Sequence, residues 1–229
     1  MRWVLLLGVV GCGRIDFEES AIPRDGLVAY YPLDDLDNGR TFDEVANIAA
    51  TCDGACPTLT TGHAGRAMQF FSERLDVPST AAVNGTSTFT IAAWVLPVSF
   101  PSGAFSCAVT KAFGLTTANS WTICTSQAGQ VFFGTSTAVG ETLTQNSIVA
   151  LSPLRWNHVA VTFDGTTKSI FIDGVFDGAA LDGTVFDTGR ISIGADYDNM
   201  STEFYSGIVD EVVIYNRVLY PDEIQLLAR

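Results

Sequence analysis

Positive charge is scarce in this chain of 229 residues. Lysine occurs only twice, at Lys111 and Lys168, and the formal net charge at pH 7 is −13. An acidic surface repels phosphate backbones, so we expect no nucleic-acid partner. The same charge disfavours strongly anionic glycans and direct docking on anionic lipid. Acidic side chains are, in contrast, compatible with calcium binding.

Motifs of common enzyme classes are also missing. The sequence contains no Gly-x-Ser-x-Gly, no His-Glu-x-x-His and no phosphate-binding loop. His158 has no carboxylate or nucleophile as a sequence-local partner, and the only other histidine is His63 in a glycine-rich segment. We therefore expect His158 to be packed at the start of a strand and the chain not to be an enzyme.

The apolar run at the N-terminus, residues 3–10, is too short to cross a bilayer. It follows one basic residue and precedes Gly11-Cys12, so it predicts a signal peptide over residues 1–11. The segment is similar to a bacterial lipobox, which implies that Cys12 is lipidated and that residues 12–25 form a tether. The protein would then be an exported lipoprotein of the bacterial outer membrane or cell surface, touching the membrane through its lipid only. The alternative is an ordinary secretory signal.

Five cysteines are an odd number, and assigning Cys12 to lipid leaves four. In an exported protein an even remainder indicates disulfides. Three connectivities are possible, and we favour the local pairing of Cys52 with Cys56 and of Cys107 with Cys124. Zinc binding is the alternative, but one Cys-x3-Cys pair without a nearby histidine is a poor zinc signature.

Short β-like runs separated by turn residues fill the sequence from residue 26 onward, with no amphipathic helix between them. Asp-Gly pairs at 164–165 and 173–174 predict hairpin turns. This pattern predicts an all-β fold, an antiparallel sandwich or jelly roll, as one domain over residues 26–229. Only the C-terminus predicts a helix, beginning at Pro221.

Several segments occur in the order typical of one known domain type: GLVAYYPLDD, GRAMQF, FTIAAWVLP, WNHVAVTFDGTTKSIFIDGV, ISIG and GIVDEVVIYNRVLYPDEIQLL. The chain thereby resembles LamG-like domains of the concanavalin A-like lectin/glucanase superfamily, from about Gly26 to Leu227. The resemblance implies a jelly-roll β-sandwich. It names no ligand, because similar domains bind sugars, bind proteins, accompany hydrolases or serve structural roles.

The resemblance also implies one structural calcium near the first and last strands. Asp43 and Asn47 follow the first strand and Asp210 lies in the last, so these three are the predicted ligands. The alternative is that Asp210 accepts backbone N–H groups of a neighbouring loop, or pairs with Arg66 or Arg217. A second oxygen-rich run, residues 195–201, is either a further calcium site or a solvated loop.

The last strand carries two consecutive carboxylates, Asp210 and Glu211. Successive strand residues face opposite sides, so Asp210 is predicted to point inward and Glu211 to face solvent or a basic partner. Two carboxylates on opposite faces cannot act as a catalytic pair. Glucanases of the superfamily use Glu-x-Asp-x-Glu or Glu-x-Asp-x-x-Glu, and no glutamate here begins a Glu-x-Asp.

Four aromatic residues at or near loop positions are candidates for an exposed ligand platform: Trp121, Tyr197, Phe204 and Tyr205. Structural packing is the alternative for each. The sequence therefore predicts a cell-envelope-anchored binding module that recognises a glycan or an envelope or surface protein. The alternatives are a purely structural or assembly domain and a glycoside hydrolase of the same superfold.

Overall fold

Two stacked β-sheets and one short helix make up the structure, a computed structural model that describes residues 22–84, 88–103, 105–112, 119–136, 142–181, 189–197 and 202–229. The strands and the helix are β1 (Leu27–Tyr31), β2 (Arg40–Phe42), β3 (Ala49–Thr51), β4 (Thr58–Thr61), β5 (Arg66–Phe70), β6 (Leu75–Val77), β7 (Phe89–Pro97), β8 (Phe105–Ala112), β9 (Asn119–Ser126), β10 (Gln130–Ser136), β11 (Thr142–Ala150), β12 (Asn157–Phe163), β13 (Thr167–Ile172), β14 (Val175–Leu181), β15 (Ile191–Ile193), β16 (Ala195–Tyr197), β17 (Thr202–Phe204), β18 (Gly207–Tyr215) and α1 (Pro221–Leu227).

The two sheets are called sheet A and sheet B here. In sheet A the strand order is β14-β13-β12-β7-β18-β5-β4, and β1 also pairs with β18. Sheet B has the order β11-β10-β9-β8-β15-β6-β3-β2, with the β16–β17 hairpin beside β8. Paired strands run antiparallel, apart from a parallel contact between β17 and β8. The predicted antiparallel jelly-roll sandwich with a C-terminal helix is confirmed.

Both predicted Asp-Gly turns join neighbouring strands of sheet A. Asp173 and Gly174 have φ angles of 50° and 76° between β13 and β14. Two consecutive positive φ angles are typical of the turn that matches the twist of a hairpin. At the other turn, between β12 and β13, the backbone N–H of Asp164 donates to the carbonyl of Thr167 at 3.1 Å. These turns bring β12, β13 and β14 into register.

Side chains that alternate along the strands build two separate apolar clusters. On β7, Ile91 and Val95 point into the inter-sheet core between sheets A and B. Ala92 points to the opposite side of sheet A, into a second group that we call the outer cluster. Such alternation is the two-residue period of a β-strand. Sheet A is therefore buried on both faces around β7.

Helix α1 covers the outer cluster. Ile224 and Leu227 are buried there, as their shared helical face predicts, together with Tyr30 and Phe171. Ile22 belongs to the same cluster and is 2% exposed. The folded domain thus includes Ile22, four residues before its predicted start. No helix among the described residues is long and apolar enough to span a membrane.

The four cysteines outside the N-terminal segment form two disulfides, Cys52–Cys56 and Cys107–Cys124. The predicted local pairing is confirmed. Cys107 and Cys124 lie directly opposite each other on β8 and β9. Adjacent antiparallel strands bring such residues within bonding distance, so this disulfide joins two neighbouring strands of sheet B.

Both lysines of the sequence are buried. Lys168 donates from Nζ to the hydroxyl of Thr135 at 2.9 Å, which connects sheet A to sheet B. Lys111 donates to the backbone carbonyl of Gly189 at 2.5 Å. Buried ammonium groups need such acceptors to offset the loss of hydration. The protein surface therefore carries no lysine, and arginine supplies its cationic side chains.

Candidate functional site

Strand β18 changes its partner halfway along its length. On one side it pairs with β7, but on the other it pairs first with β5, at residues 207–209, and then with β1, at residues 212–215. The register against β7 shifts between Asp210 and Val213, and Glu211 has a φ of 53°. An extra residue with positive φ is a β-bulge. The bulge stands where β5 ends and β1 begins.

Asp210 accepts backbone N–H groups at this junction. Its Oδ2 accepts from Ala64 in the β4–β5 turn at 3.1 Å, and its Oδ1 accepts from Glu211 at 3.0 Å. The side chain is fully buried. Burial and, second, the charge of Glu211 raise the pKa of Asp210 from 3.8 to about 8. The neighbouring-loop contact named as the alternative to calcium is thus present.

Glu211 is also buried, so of the two surroundings predicted for it, solvent or a basic partner, solvent is wrong. It is 4% exposed and accepts a hydrogen bond from the hydroxyl of Tyr30 at 2.5 Å. The strict alternation of a regular strand does not apply across the bulge, because the extra residue resets which side each residue faces. Glu211 thereby connects the last strand to β1, and the two carboxylates are close enough to affect each other's charge.

Asp43 organises the loop between β2 and β3. Its two carboxylate oxygens accept the backbone N–H groups of Tyr30, Val45, Ala46 and Ile48 at 2.8–3.2 Å. A carboxylate that accepts several N–H groups holds a short loop in one conformation. The loop therefore presents its remaining side chains from a fixed backbone.

A cavity of about 280 Å³ opens beside this loop. Its lining consists of five side chains with oxygen atoms, one proline and one aromatic ring: Asp34, Asp35, Asp43, Glu44, Asn47, Pro32 and Phe42. Phe42 is 42% exposed at the rim. We call this site the acidic cavity. It brings together two predicted calcium ligands, Asp43 and Asn47, whereas Asp210 is not part of its lining.

Two of the lining carboxylates are held by the surrounding backbone and side chains. Asp34 accepts the backbone N–H of Arg66 at 2.6 Å, and Asp35 accepts the hydroxyl of Thr41 at 3.0 Å.

Sequence reasoning missed Asp34, Asp35, Phe42 and Glu44 as site residues. The Asp-Asp pair that ends GLVAYYPLDD was the available signal, but nothing in the sequence showed that the β2–β3 loop returns to it.

The predicted aromatic platform is not observed for two of its four members. Trp121 is 4% exposed and Tyr205 is 1% exposed, and both pack in the inter-sheet core. For these two residues the alternative of structural packing holds, because their side chains fill the core between the sheets. Phe204 is partly exposed. The side chain of Tyr197 and the whole of Cys12 lie outside the described residues.

His158 is packed at the start of β12, as predicted. It lies opposite Trp94 on β7, with the two rings 5.3 Å apart, and is 1% exposed. Its backbone N–H donates to Asp173 Oδ1 at 2.8 Å. Burial and, second, the charge of His63 lower the pKa of His158 to about 3. The imidazole is therefore neutral at physiological pH.

A second group of potential metal ligands lies beside the β16–β17 hairpin. One ligand atom each from Cys107, Asp196 and Glu203 lies within 4.8 Å of the others. Asp196 and Glu203 are opposite each other in the hairpin. The sulfur of Cys107 is bonded to Cys124, however, so it offers no thiolate while the disulfide is closed.

The fold is similar to several solved binding modules and enzymes. The binding domain of Paraclostridial Mosquitocidal Protein 1 matches with a TM-score of 0.70 at 14% identity, over 89% of this chain and 52% of that one. Domain 4 of AbnA, a GH43 extracellular arabinanase from Geobacillus stearothermophilus, was solved in complex with arabinotriose. It matches with a TM-score of 0.70 at 16% sequence identity, over 89% of this chain and 98% of that one. Trypanosoma rangeli sialidase matches with a TM-score of 0.68 at 17% sequence identity, over 90% of this chain and 33% of that one. Likeness at such identities shows the fold alone.

The chain spans about half of the mosquitocidal binding domain and a third of the sialidase. No curated protein sequence gives a significant match. A family model does match, over residues 72–225, which include β7, the Asp-Gly hairpins and the bulged last strand. With this match and the two-sheet jelly roll, the chain belongs to the concanavalin A-like lectin/glucanases superfamily.

Proposed function

We propose that this chain is a cell-envelope-anchored binding module that recognises a glycan or an envelope or surface protein through the acidic cavity. The observation that carries the proposal is the combination of a cavity of about 280 Å³ with a loop held rigid by Asp43. Ligand sites are concave, largely preformed and equipped with a few convergent polar groups. The acidic cavity has these properties.

A neutral glycan suits the chemistry of the lining. The exposed ring of Phe42 offers an apolar face for a sugar ring, and Asp35 and Glu44 offer oxygens that accept hydroxyl hydrogen bonds. Anionic sugars would be repelled by the same carboxylates. The arabinanase domain, whose solved structure contains arabinotriose, supports a glycan by analogy of fold only.

Calcium fits the acidic cavity by donor chemistry. Carboxylates and one amide oxygen line it, and calcium takes six to eight oxygen ligands. Asn47 would hold the ion with Asp34, Asp35 or Glu44. Asp210 lies outside this lining, and the oxygens of the buried Asp43 already accept backbone N–H groups, so Asp43 would position the loop rather than bind the ion directly. Bound calcium would neutralise the clustered carboxylates and stiffen the β2–β3 loop.

A thermal melt tests the calcium proposal. Calcium should raise the melting temperature relative to a chelator, because it binds the folded state only. Glu44→Gln should reduce the rise, whereas Asp222→Asn, at an exposed position of helix α1, should leave it unchanged. A melting temperature that calcium does not change in the parent protein would refute this part of the proposal.

The anchoring part of the proposal concerns residues 1–21, which lie outside the described part of the chain. It is supported by the lipobox-like sequence before Cys12. Fractionation of expressing cells should find the protein with membranes. Cys12→Ser should move it to the soluble fraction, and an unchanged distribution would contradict lipidation.

A glycan array, probed with the full chain in calcium and in chelator, tests the ligand. Bound glycans should be neutral, and Phe42→Ala should weaken their binding because it removes the stacking face. Phe71→Ala removes a similarly exposed ring elsewhere and serves as the matched control. Binding that depends equally on both rings, or on neither, would place the ligand outside the acidic cavity. If no glycan on the array is bound, a protein ligand is favoured.

A further inference from the structure

The two disulfides differ in how easily a reductant can reach them. Cys107 and Cys124 are 0% and 2% exposed, whereas Cys52 and Cys56 are half-buried at the protein surface. The three residues between Cys52 and Cys56 are all exposed. Thiol–disulfide exchange requires a thiolate to reach one of the sulfurs, and exposed disulfides are the labile ones. A thiol reductant would therefore open Cys52–Cys56 before Cys107–Cys124.

The Cys52–Cys56 disulfide constrains the chain locally. Its two cysteines are 4 positions apart in the sequence, against 17 for Cys107 and Cys124. The entropy that a disulfide removes from the unfolded chain grows with the length of the loop that it closes. Cys52–Cys56 therefore restricts the unfolded chain less than the other disulfide does, and it acts mainly on the folded residues beside it.

Those folded residues belong to the hairpin that carries part of the acidic cavity. We call β2, β3 and the loop between them, residues 40–51, the cavity hairpin. Cys52 directly follows it, and the backbone N–H of Cys52 donates at 3.0 Å to the carbonyl of Gly39, which directly precedes it. A Cβ on Gly39 would lie 3.1 Å from the sulfur of Cys52 and 3.5 Å from that of Cys56. The disulfide thus packs against the backbone at the open end of the cavity hairpin.

The attachment of the cavity hairpin to sheet B is narrow. Within the described part of the chain, β3 is in register with β6 at one residue pair, Thr51 with Asp76, and β2 is the outermost strand. By comparison, β6 and β15 are in register along the whole length of both strands. Thr51 is the residue before Cys52. Opening the disulfide would therefore loosen the hairpin at the point where it joins the sheet.

The two ends of the cavity hairpin are held by different contacts. At the loop end, the backbone N–H of Glu44 donates to the carbonyl of Tyr30 at 2.8 Å, and Asp43 accepts the N–H of Tyr30 at 3.2 Å. Between this end and the disulfide, Thr41 of β2 donates its hydroxyl at 3.0 Å to Asp35, which lines the acidic cavity. Movement of β2 at the disulfide end would therefore displace Asp35 while the loop stays attached to β1.

We propose that Cys52–Cys56 is a redox switch that sets the affinity of the acidic cavity for its ligand. The closed disulfide holds β2, and with it Asp35, in the binding arrangement. A dithiol reductant opens it: one thiolate attacks a cysteine sulfur to form a mixed disulfide, and the second displaces that cysteine. Two electrons and two protons pass to the protein, which gains two thiols, and the reductant leaves as a disulfide. This inference rests on the proposed function, because it concerns the ligand affinity of the acidic cavity.

Calcium titration of the full chain carrying Cys12→Ser, which removes the lipid and a further thiol, measures the switch. In calorimetry with calcium alone, reduction by dithiothreitol should lower the affinity about tenfold, as expected if the reduced hairpin keeps its binding arrangement about a tenth of the time. Cys52→Ser with Cys56→Ser should bind calcium as weakly as the reduced parent, with no further effect of dithiothreitol. Cys107→Ser with Cys124→Ser is the matched control and should keep the affinity of the parent and its response to dithiothreitol. Alkylation and mass spectrometry should locate the new thiols at Cys52 and Cys56.

Amide hydrogen exchange provides a readout that needs no ligand. Reduction should speed exchange in residues 40–51 and leave β7 and β12 of sheet A unchanged. If the oxidised protein binds no calcium, the calcium proposal fails, and hydrogen exchange alone decides whether the disulfide controls the cavity hairpin. Equal calcium affinity before and after reduction, equal exchange in residues 40–51, or opening of Cys107–Cys124 before Cys52–Cys56 overturns the redox switch.

Discussion

Mild acidification should destabilise this fold through His158, whose imidazole is buried against Trp94 at the start of β12. Burial lowers the pKa of His158 from 6.5 to about 3 in the folded protein. The unfolded chain takes up a proton near pH 6.5 and the folded chain does not. The contribution of neutral His158 is therefore complete above pH 6.5 and is lost progressively as the pH falls towards 3.

The expected magnitude follows from proton linkage. Each pH unit below the unfolded pKa of His158 removes about 1.4 kcal/mol of stability while the folded state stays unprotonated. Between roughly pH 7.5 and pH 5.5, the free energy of unfolding should fall by about 1.4 kcal/mol because of His158 alone. This pH range also stays above the pI of 4.3, where the protein remains clearly anionic.

Urea denaturation at the two pH values measures the effect. His158→Phe keeps an aromatic ring beside Trp94 but cannot be protonated, so it is the reference chain. All carboxylates are common to both proteins, and their contributions cancel in the difference between the two pH dependences. The parent should lose about 1.4 kcal/mol more than the variant. Parallel pH profiles would refute the claim that His158 is buried as a neutral imidazole.

Three further predictions concern stability and are checked by chemical denaturation at pH 7.5. Gly62→Ala should destabilise by about 1–3 kcal/mol, because the added Cβ would lie 2.5 Å from a backbone carbonyl oxygen; no change would mean that the β4–β5 turn can move away. Tyr30→Phe should cost about 1–3 kcal/mol by removing a donor to buried Glu211, and Glu211→Gln should reduce that cost. Cys107→Ser with Cys124→Ser should lower the free energy of unfolding by about 2–4 kcal/mol. An unchanged denaturation curve would show that the pairing of β8 with β9 is stable without the disulfide.

Local chemistry accounts for the features that the sequence predicted correctly. Asp and Gly are the residues that most readily adopt the two positive φ angles found at Asp173 and Gly174, so this hairpin turn depends mainly on those two residues. Cys107 and Cys124 lie on consecutive strands, which restricts their pairing before any tertiary structure is known. Pro221 begins the helix, and Ile224 and Leu227 share its buried face. Each prediction depended on residues close together in the chain.

The candidate site was only partly predictable. Asp43 and Asn47 do line one cavity, but Phe42 and Asp34 complete it, and they come together only when the β2–β3 loop folds against the segment after β1. Trp121 has the same local sequence character whether it is exposed or buried. The opposite sheet covers it, and that contact is long-range.

The two carboxylates of GIVDEVVIYN show most clearly which features depend on the sequence alone and which depend on the tertiary structure. The sequence by itself determined that a strand of the superfamily carries two acids in an apolar setting, and that an inward acid needs a partner. Only the tertiary structure decided that Asp210 and Glu211 are both buried, because the bulge arises where β18 exchanges β5 for β1 as its neighbour. Strand exchange is a property of how distant segments pack, and no periodicity within nine residues encodes it.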